Sequence, residues 1–173
     1  DAAVANEIPE AILVEDGLAA LQTLAQWHRR KWTCPVIGLT GSNGKTTTKE
    51  LLKAVLRFHY SDVQATHGNL NNEIGVPLTL LSIGDNPDMV IIEMGANAQG
   101  EIALLAAIAE PTHGVITNIG RAHLEGFGGV EGVIKGKSEL FDFFRNQQNT
   151  GKQNGDEPVL FVNAAHAVLI EQS

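Results

Sequence analysis

The chain has 173 residues, 43% of them apolar, with 18 glycines; that is enough for one α/β domain with many turns, and too apolar for a disordered tail. Twelve basic against twenty acidic residues give a formal charge of −8, which argues against a nucleic-acid surface, where Lys and Arg cluster, but not against a nucleotide held by a local nest of backbone N–H groups. No apolar run approaches the ~18 residues of a membrane span, the start has neither a basic n-region nor an apolar h-region, and the lone Cys34, expected to be a small buried residue, excludes an intrachain disulfide and allows a reducing compartment.

In chain order, DGLAALQTLAQWHRRK (16–31) predicts a helix with Asp16 as N-cap and Leu18, Leu21, Leu24 and Ala25 on one face. Its end, His28 to Lys31, suits the negative pole of the helix dipole and reads as a solvated face. PVIGLT (35–40) is a buried strand. GSNGKTTT follows, then KELLKAVLRFH, a helix with a stripe of Leu51, Leu52, Val55 and Leu56. DVQAT (62–66) is a weaker strand, HGNLNNEIGVP (67–77) is turn chemistry, and PLTLLSI is a short helix. DMVIIEM (88–94) is the clearest buried strand. GANAQG is a loop, and EIALLAAIAE (101–110) is a helix stopped by Pro111. HGVITNIG (113–120) is a strand, RAHLEGFGG a loop, 130–145 an amphipathic helix, 146–157 a polar surface loop, and PVLFVN (158–163) the last strand.

Strands alternating with helices imply an open, mostly parallel α/β sheet with helices on both faces. Ligands of such sheets bind beyond the carboxyl ends of the strands. Those ends carry Thr40-Gly41-Ser42, His67-Gly68-Asn69, Glu93-Met94-Gly95, Asn118-Ile119-Gly120 and Asn163, a set rich in side chains suited to phosphate, metal or base.

Gly41-Ser42-Asn43-Gly44-Lys45-Thr46, with Thr47 after it, sits between a strand and a helix, where glycines let backbone N–H groups approach phosphates. Lys45 is placed to reach the β- and γ-phosphates, and the Thr46 hydroxyl to ligate Mg²⁺. The general phosphate-loop pattern requires Gly at position 39, where this chain has Leu39; its first glycine is Gly41. TGSNGKTTT resembles the shortened phosphate loop of the Mur ligases and of folylpolyglutamate synthetase. GNLNNEIGVPLTLL (68–81), IIEMGANAQGEI (91–102) and NIGRAHLEGFGGVEGVIKGKSEL (118–140) resemble the Mur ligase branch that joins D-alanyl-D-alanine to a UDP-muramoyl peptide. Glu93-Met94-Gly95-Ala96 sets that branch apart.

The resemblance, which runs from about Val14 to Asn163, implies the ATP-binding central domain of a monomeric cytoplasmic amide ligase working through an acyl phosphate. It implies a piece of a longer enzyme, without the family's UDP-binding and C-terminal domains. It implies ATP on Gly41 to Thr47 and Asn163. It implies two Mg²⁺ ions, on Thr46, Glu93, His123 and a carbamylated Lys137, although a nitrogen ligand is unusual for Mg²⁺. An unmodified Lys137 is a cation that repels Mg²⁺, and Lys135 competes for the same role. Only one of the two can face the site, because they point apart on a helix. Asn163 matches the family's adenine-contacting Asn, but Ala164-Ala165-His166 follow where the family often has Asp. Asn69, Asn71 and Asn72 are either substrate contacts or ordinary turn residues. Two alternatives stand beside this reading: another ligase of the superfamily, such as folylpolyglutamate synthetase, or a nucleotide-binding module inactive by itself.

Overall fold

Five short strands form one all-parallel sheet in the order β2-β3-β1-β4-β5: β1 Val36–Thr40, β2 Val63–Ala65, β3 Met89–Glu93, β4 His113–Ile116 and β5 Val159–Phe161. The computed structural model describes residues 12–120, 123–150 and 158–173. The first eleven residues, Arg121-Ala122 of the expected loop, and 151–157 of the expected polar loop lie outside the described residues. The expected open parallel sheet is present. The chain runs from β1 out to β2, back through β3, and then across to β4 and β5, so β1 is the switch point. A ligand crevice is expected at its carboxyl end.

The strands alternate between two cores. Val36, Val90 and Ile92 point into the larger one, with Met94, Leu105, Phe141 and Phe144. Ile37, Ile91, Met89 and Val63 point into the smaller one. The helix after β1, α2 (Lys45–Leu56), covers the smaller core with Leu52 and Leu56. The larger core is covered by α1 (Gly17–Arg29), α3 (Gly75–Ser82), α4 (Glu101–Ala109), α6 (Val130–Thr150) and the terminal α7 (Ala167–Gln172), with α1 packed on α3 and α4, and α6 on α4.

Several details depart from the sequence reading. Asp16 does cap α1, its Oδ1 accepting from Leu18 N at 2.8 Å and Ala19 N at 3.0 Å. Arg29, read as part of a solvated face, is buried. Its guanidinium donates to the Ala109 and Glu110 carbonyls at 2.9 and 2.8 Å, closing the C-terminus of α4. The stripe expected on α2 is split: Leu51 and Val55 are exposed, and buried Lys49 takes their place beside Leu52 and Leu56. Leu24 is likewise exposed. Cys34 is half-buried against the larger core. The fourth strand ends at Ile116, so 117–120 is loop. The helix from Val130 continues to Thr150, and a one-turn helix, α5 (Leu124–Phe127), interrupts the expected loop.

Candidate nucleotide site

The loop between β1 and α2 lies at the switch point. Gly41 (φ +143°) and Gly44 (φ +78°) take conformations that L side chains rarely adopt. No side chain caps the start of α2, so its first N–H groups are open to an anion, in line with the dipole. The segment after β4 braces the loop. Ser42 N donates to Asn118 O at 3.0 Å, Asn43 N to Asn118 Oδ1 at 3.1 Å, Thr117 Oγ1 to Asn43 O at 2.7 Å and Gly120 N to Ser42 Oγ at 2.9 Å. The Lys45 ammonium folds back to donate to Gly41 O at 2.8 Å. Burial pushes the Lys45 pKa below the usual lysine value, and the Glu93 charge opposes that shift.

A Cβ at Gly41 would run into Thr117 Oγ1, and strain at such a backbone position costs about 1–3 kcal/mol. Gly41→Ala is therefore expected to weaken binding of an ATP analogue by about tenfold or more, and to lower Tm by several degrees. Isothermal titration and thermal melting check both.

Glu93 ends β3 beside the end of β1, because Leu39 pairs with Glu93 across the parallel ladder. It is 1% exposed. Its Oε1 accepts from Asn71 Nδ2 at 2.9 Å and Thr46 Oγ1 at 3.2 Å. Its Oε2 is buried with no hydrogen bond and faces the Lys49 ammonium at 3.7 Å. Thus Lys45, Thr46, Glu93 and Asn71 converge. The other two asparagines do not join them: Asn72 Oδ1 accepts from Gly75 N at 2.8 Å at the start of α3, and Asn69 is exposed.

Lys135 and Lys137 differ sharply in burial. Lys135 is exposed, whereas Lys137 is 1% exposed, donates to Ala96 O at 3.1 Å and lies 5.1 Å from the Phe127 ring centre. Glu139, two residues on, places it: its carboxylate accepts from Gly100 N and Ala103 N, fastening α6 to the start of α4 just beyond Ala96. Burial, then the nearby Lys45 charge, pushes the Lys137 pKa down to about 8. His123 is exposed, with φ +56°, just before α5. Among the described residues no three His, Cys, Asp or Glu side chains gather as a metal cluster.

On the other side of the phosphate loop, Thr48, Val115, Thr117, Leu160, Phe161 and Asn163 line a groove of about 470 Å³, within the size range of small-ligand sites. Asn163 is exposed and its Oδ1 caps its own turn, accepting from Ala165 N at 3.0 Å. His166, in the tract that departs from the family pattern, accepts from Ile119 N at 3.4 Å.

The residue that the sequence reading passed over is Lys49. It is fully buried and donates to Thr66 O at 2.7 Å and Gly68 O at 3.3 Å. A signal was available: Lys49 falls one turn after Lys45 and in register with Leu52 and Leu56, on the face turned toward the sheet.

A short phosphate loop at the switch point of a parallel sheet, with a Lys-Thr pair facing a strand-end Glu, defines a nucleotide-binding α/β domain of the phosphate-loop class. Comparison narrows the class. The Mur ligase middle domain matches residues 39–169, and the chain belongs to that family. It is 46% identical over 149 residues to the UDP-N-acetylmuramoyl-tripeptide–D-alanyl-D-alanine ligase of Bacillus subtilis (strain 168), covering 86% of this chain and 32% of that protein. A crystal structure of MurF from Acinetobacter baumannii superposes with TM-score 0.78 at 37% identity, over 93% of this chain and 34% of that one. The MurF ligase of Thermotoga maritima in complex with ADP superposes with TM-score 0.72 at 39% identity, over 76% and 31%. The chain spans about a third of the length of the curated relatives it matches. No helix among the described residues is long and apolar enough to cross a membrane.

Proposed function

We propose that this chain is the ATP-binding core of a cytoplasmic, monomeric ligase that adds D-alanyl-D-alanine to UDP-N-acetylmuramoyl-tripeptide, with the UDP-binding and C-terminal domains lying in the rest of that enzyme. The observation that carries the proposal is the convergence of Lys45, Thr46 and Glu93 at the end of the central strand, in a chain so similar to a ligase of that name.

Joining a carboxylate to an amine in water is uphill, so the carboxylate must first be activated. ATP supplies the phosphoryl group for an acyl phosphate, and the amine of D-alanyl-D-alanine then displaces phosphate. Two anions have to meet. In this reading the phosphates lie along Gly41 to Thr47, held by the uncapped N–H groups at the start of α2, and Lys45 swings from Gly41 O onto the transferring group, where fixed positive charge counts most. Asn163 and its groove receive the adenine, and Asn71 faces the reacting carboxylate, with Asn69 and Asn72 on the same loop.

The donors present fit one Mg²⁺: Thr46 Oγ1 and Glu93 Oε1, 3.2 Å apart, are hard oxygen ligands. When bound, Mg²⁺ neutralises phosphate charge and fixes the phosphate geometry. A second ion on His123 and Lys137 would need Lys137 to be carbamylated, since an ammonium repels a cation. The test is ADP release by the complete ligase. Sustained release is expected only when UDP-muramoyl-tripeptide and D-alanyl-D-alanine are both supplied; sustained release driven by a folate and glutamate would reassign the enzyme.

A further inference from the structure

Lys49 has no part in the scheme above, yet its side chain is the most deeply buried cation described, at 0% exposure. A residue that merely filled the face of α2 beside Leu52 and Leu56 would be apolar, because an ammonium loses its hydration on burial and a hydrophobic side chain of similar volume packs as well or better. The contacts explain its presence. The ammonium donates to the Thr66 and Gly68 carbonyls, where the chain leaves β2, and faces Glu93 Oε2 at 3.7 Å and the outer Glu50 Oε1 at 3.2 Å. Thr66 closes a ring, since its Oγ1 accepts from Glu93 N at 2.9 Å. The loop that starts at Thr66 returns to the same place: Asn71 O accepts from Gly95 N at 2.7 Å, and Asn71 Nδ2 donates to Glu93 Oε1. One carboxylate oxygen is thus turned toward Lys49, and the other toward Thr46 and Asn71.

We propose that Lys49 is a positioning residue: its buried ammonium holds the Glu93 carboxylate and the 66–72 loop in one frame, so that the oxygen presented to Mg²⁺ and Asn71, presented to the acceptor, are set together. This rests on the function proposed above. Lys49 touches neither nucleotide nor acceptor in this scheme. It acts by orienting a metal ligand, and loss of such a support typically weakens a metal site by about 10- to 100-fold.

The experiment uses a non-hydrolysable ATP analogue, titrated into this chain with and without Mg²⁺. In Lys49→Met, which keeps the length and apolar stem, the strengthening of analogue binding by Mg²⁺ is expected to fall by about tenfold or more. Metal-free binding stays within about twofold, and amide exchange over 66–72 quickens. Lys49→Arg, which keeps the charge, recovers part of the Mg²⁺ effect. A folded Lys49→Met with an unchanged Mg²⁺ effect overturns the inference. Should that variant fail to fold, the ¹⁵N signal of the Lys49 ammonium in the unaltered chain decides. A shift when Mg²⁺ joins the analogue complex supports the inference, and no shift overturns it. Failure of the unaltered chain to bind the Mg²⁺ analogue complex counts instead against the proposed function.

Discussion

Lys45→Ala in the complete ligase is expected to abolish ADP release, with kcat/KM down by about three orders of magnitude or more. Removing one preorganised donor to developing charge typically costs 10²- to 10³-fold, and here the lost group also carries a full positive charge facing several phosphate oxygens. The geometry makes this a test of chemistry rather than of folding. Lys45 is the first residue of α2 and is half-buried, and its ammonium donates to carbonyls of its own loop. Alanine is the best helix former, so Tm should change little. Steady-state ADP release beside a thermal melt measures both. Normal turnover in the variant refutes the role of Lys45.

Lys137→Ala is expected to lower kcat by two or more orders of magnitude, with partial recovery in added acetate. The recovery distinguishes an anionic ligand from a packing role: a short carboxylate replaces the oxygens of a carbamate, but does not refill the space beside Phe127. The pKa of about 8 gives the direction with pH. A carbamate forms from the neutral amine and CO₂ with loss of a proton. At pH 7 about a tenth of such an amine is neutral, against roughly one part in three thousand for an unperturbed lysine. Dependence of activity on bicarbonate is therefore expected to be strongest at low pH and to fade as pH rises above 8, where the free amine predominates. Exposed Lys135 serves as the control, and Lys135→Ala should keep near-normal activity. Full activity in Lys137→Ala removes that residue from the mechanism.

Much of the fold was legible because hydrophobic runs and turn residues coincide. MVIIE is bounded by Pro and Gly segments, and Asp16 announces α1 through a carboxylate cap that needs only local geometry. The phosphate loop was legible for the same reason, since its glycines and Lys-Thr pair are contiguous. What escaped depends on contacts distant in sequence. Nothing near Arg29 shows that α4, 80 residues later, ends against its guanidinium. Helical spacing offered Leu51 and Leu52 equally to the sheet. The choice of Leu52, with Lys49 alongside, depends on Thr66 and Glu93 supplying a polar lining that local pattern cannot reveal. The two lysines of α6 were separable in principle by their 200° difference in direction. Which of them faces Ala96 follows from how Glu139 seats α6 on α4. His123 was named from a motif alone, and the structure leaves it exposed at the start of α5.

The most direct measurement is a crystal structure of this chain with a non-hydrolysable ATP analogue and Mg²⁺. The triphosphate should lie along the Gly41 to Thr47 loop, on the uncapped N–H groups at the start of α2, with Lys45 Nζ moved from Gly41 O to within hydrogen-bonding distance of the terminal phosphate and one ion bonded to Thr46 Oγ1 and Glu93. A nucleotide bound elsewhere, or one seated on the loop with Glu93 still hydrogen-bonded to Thr46 and no ion between them, contradicts the account.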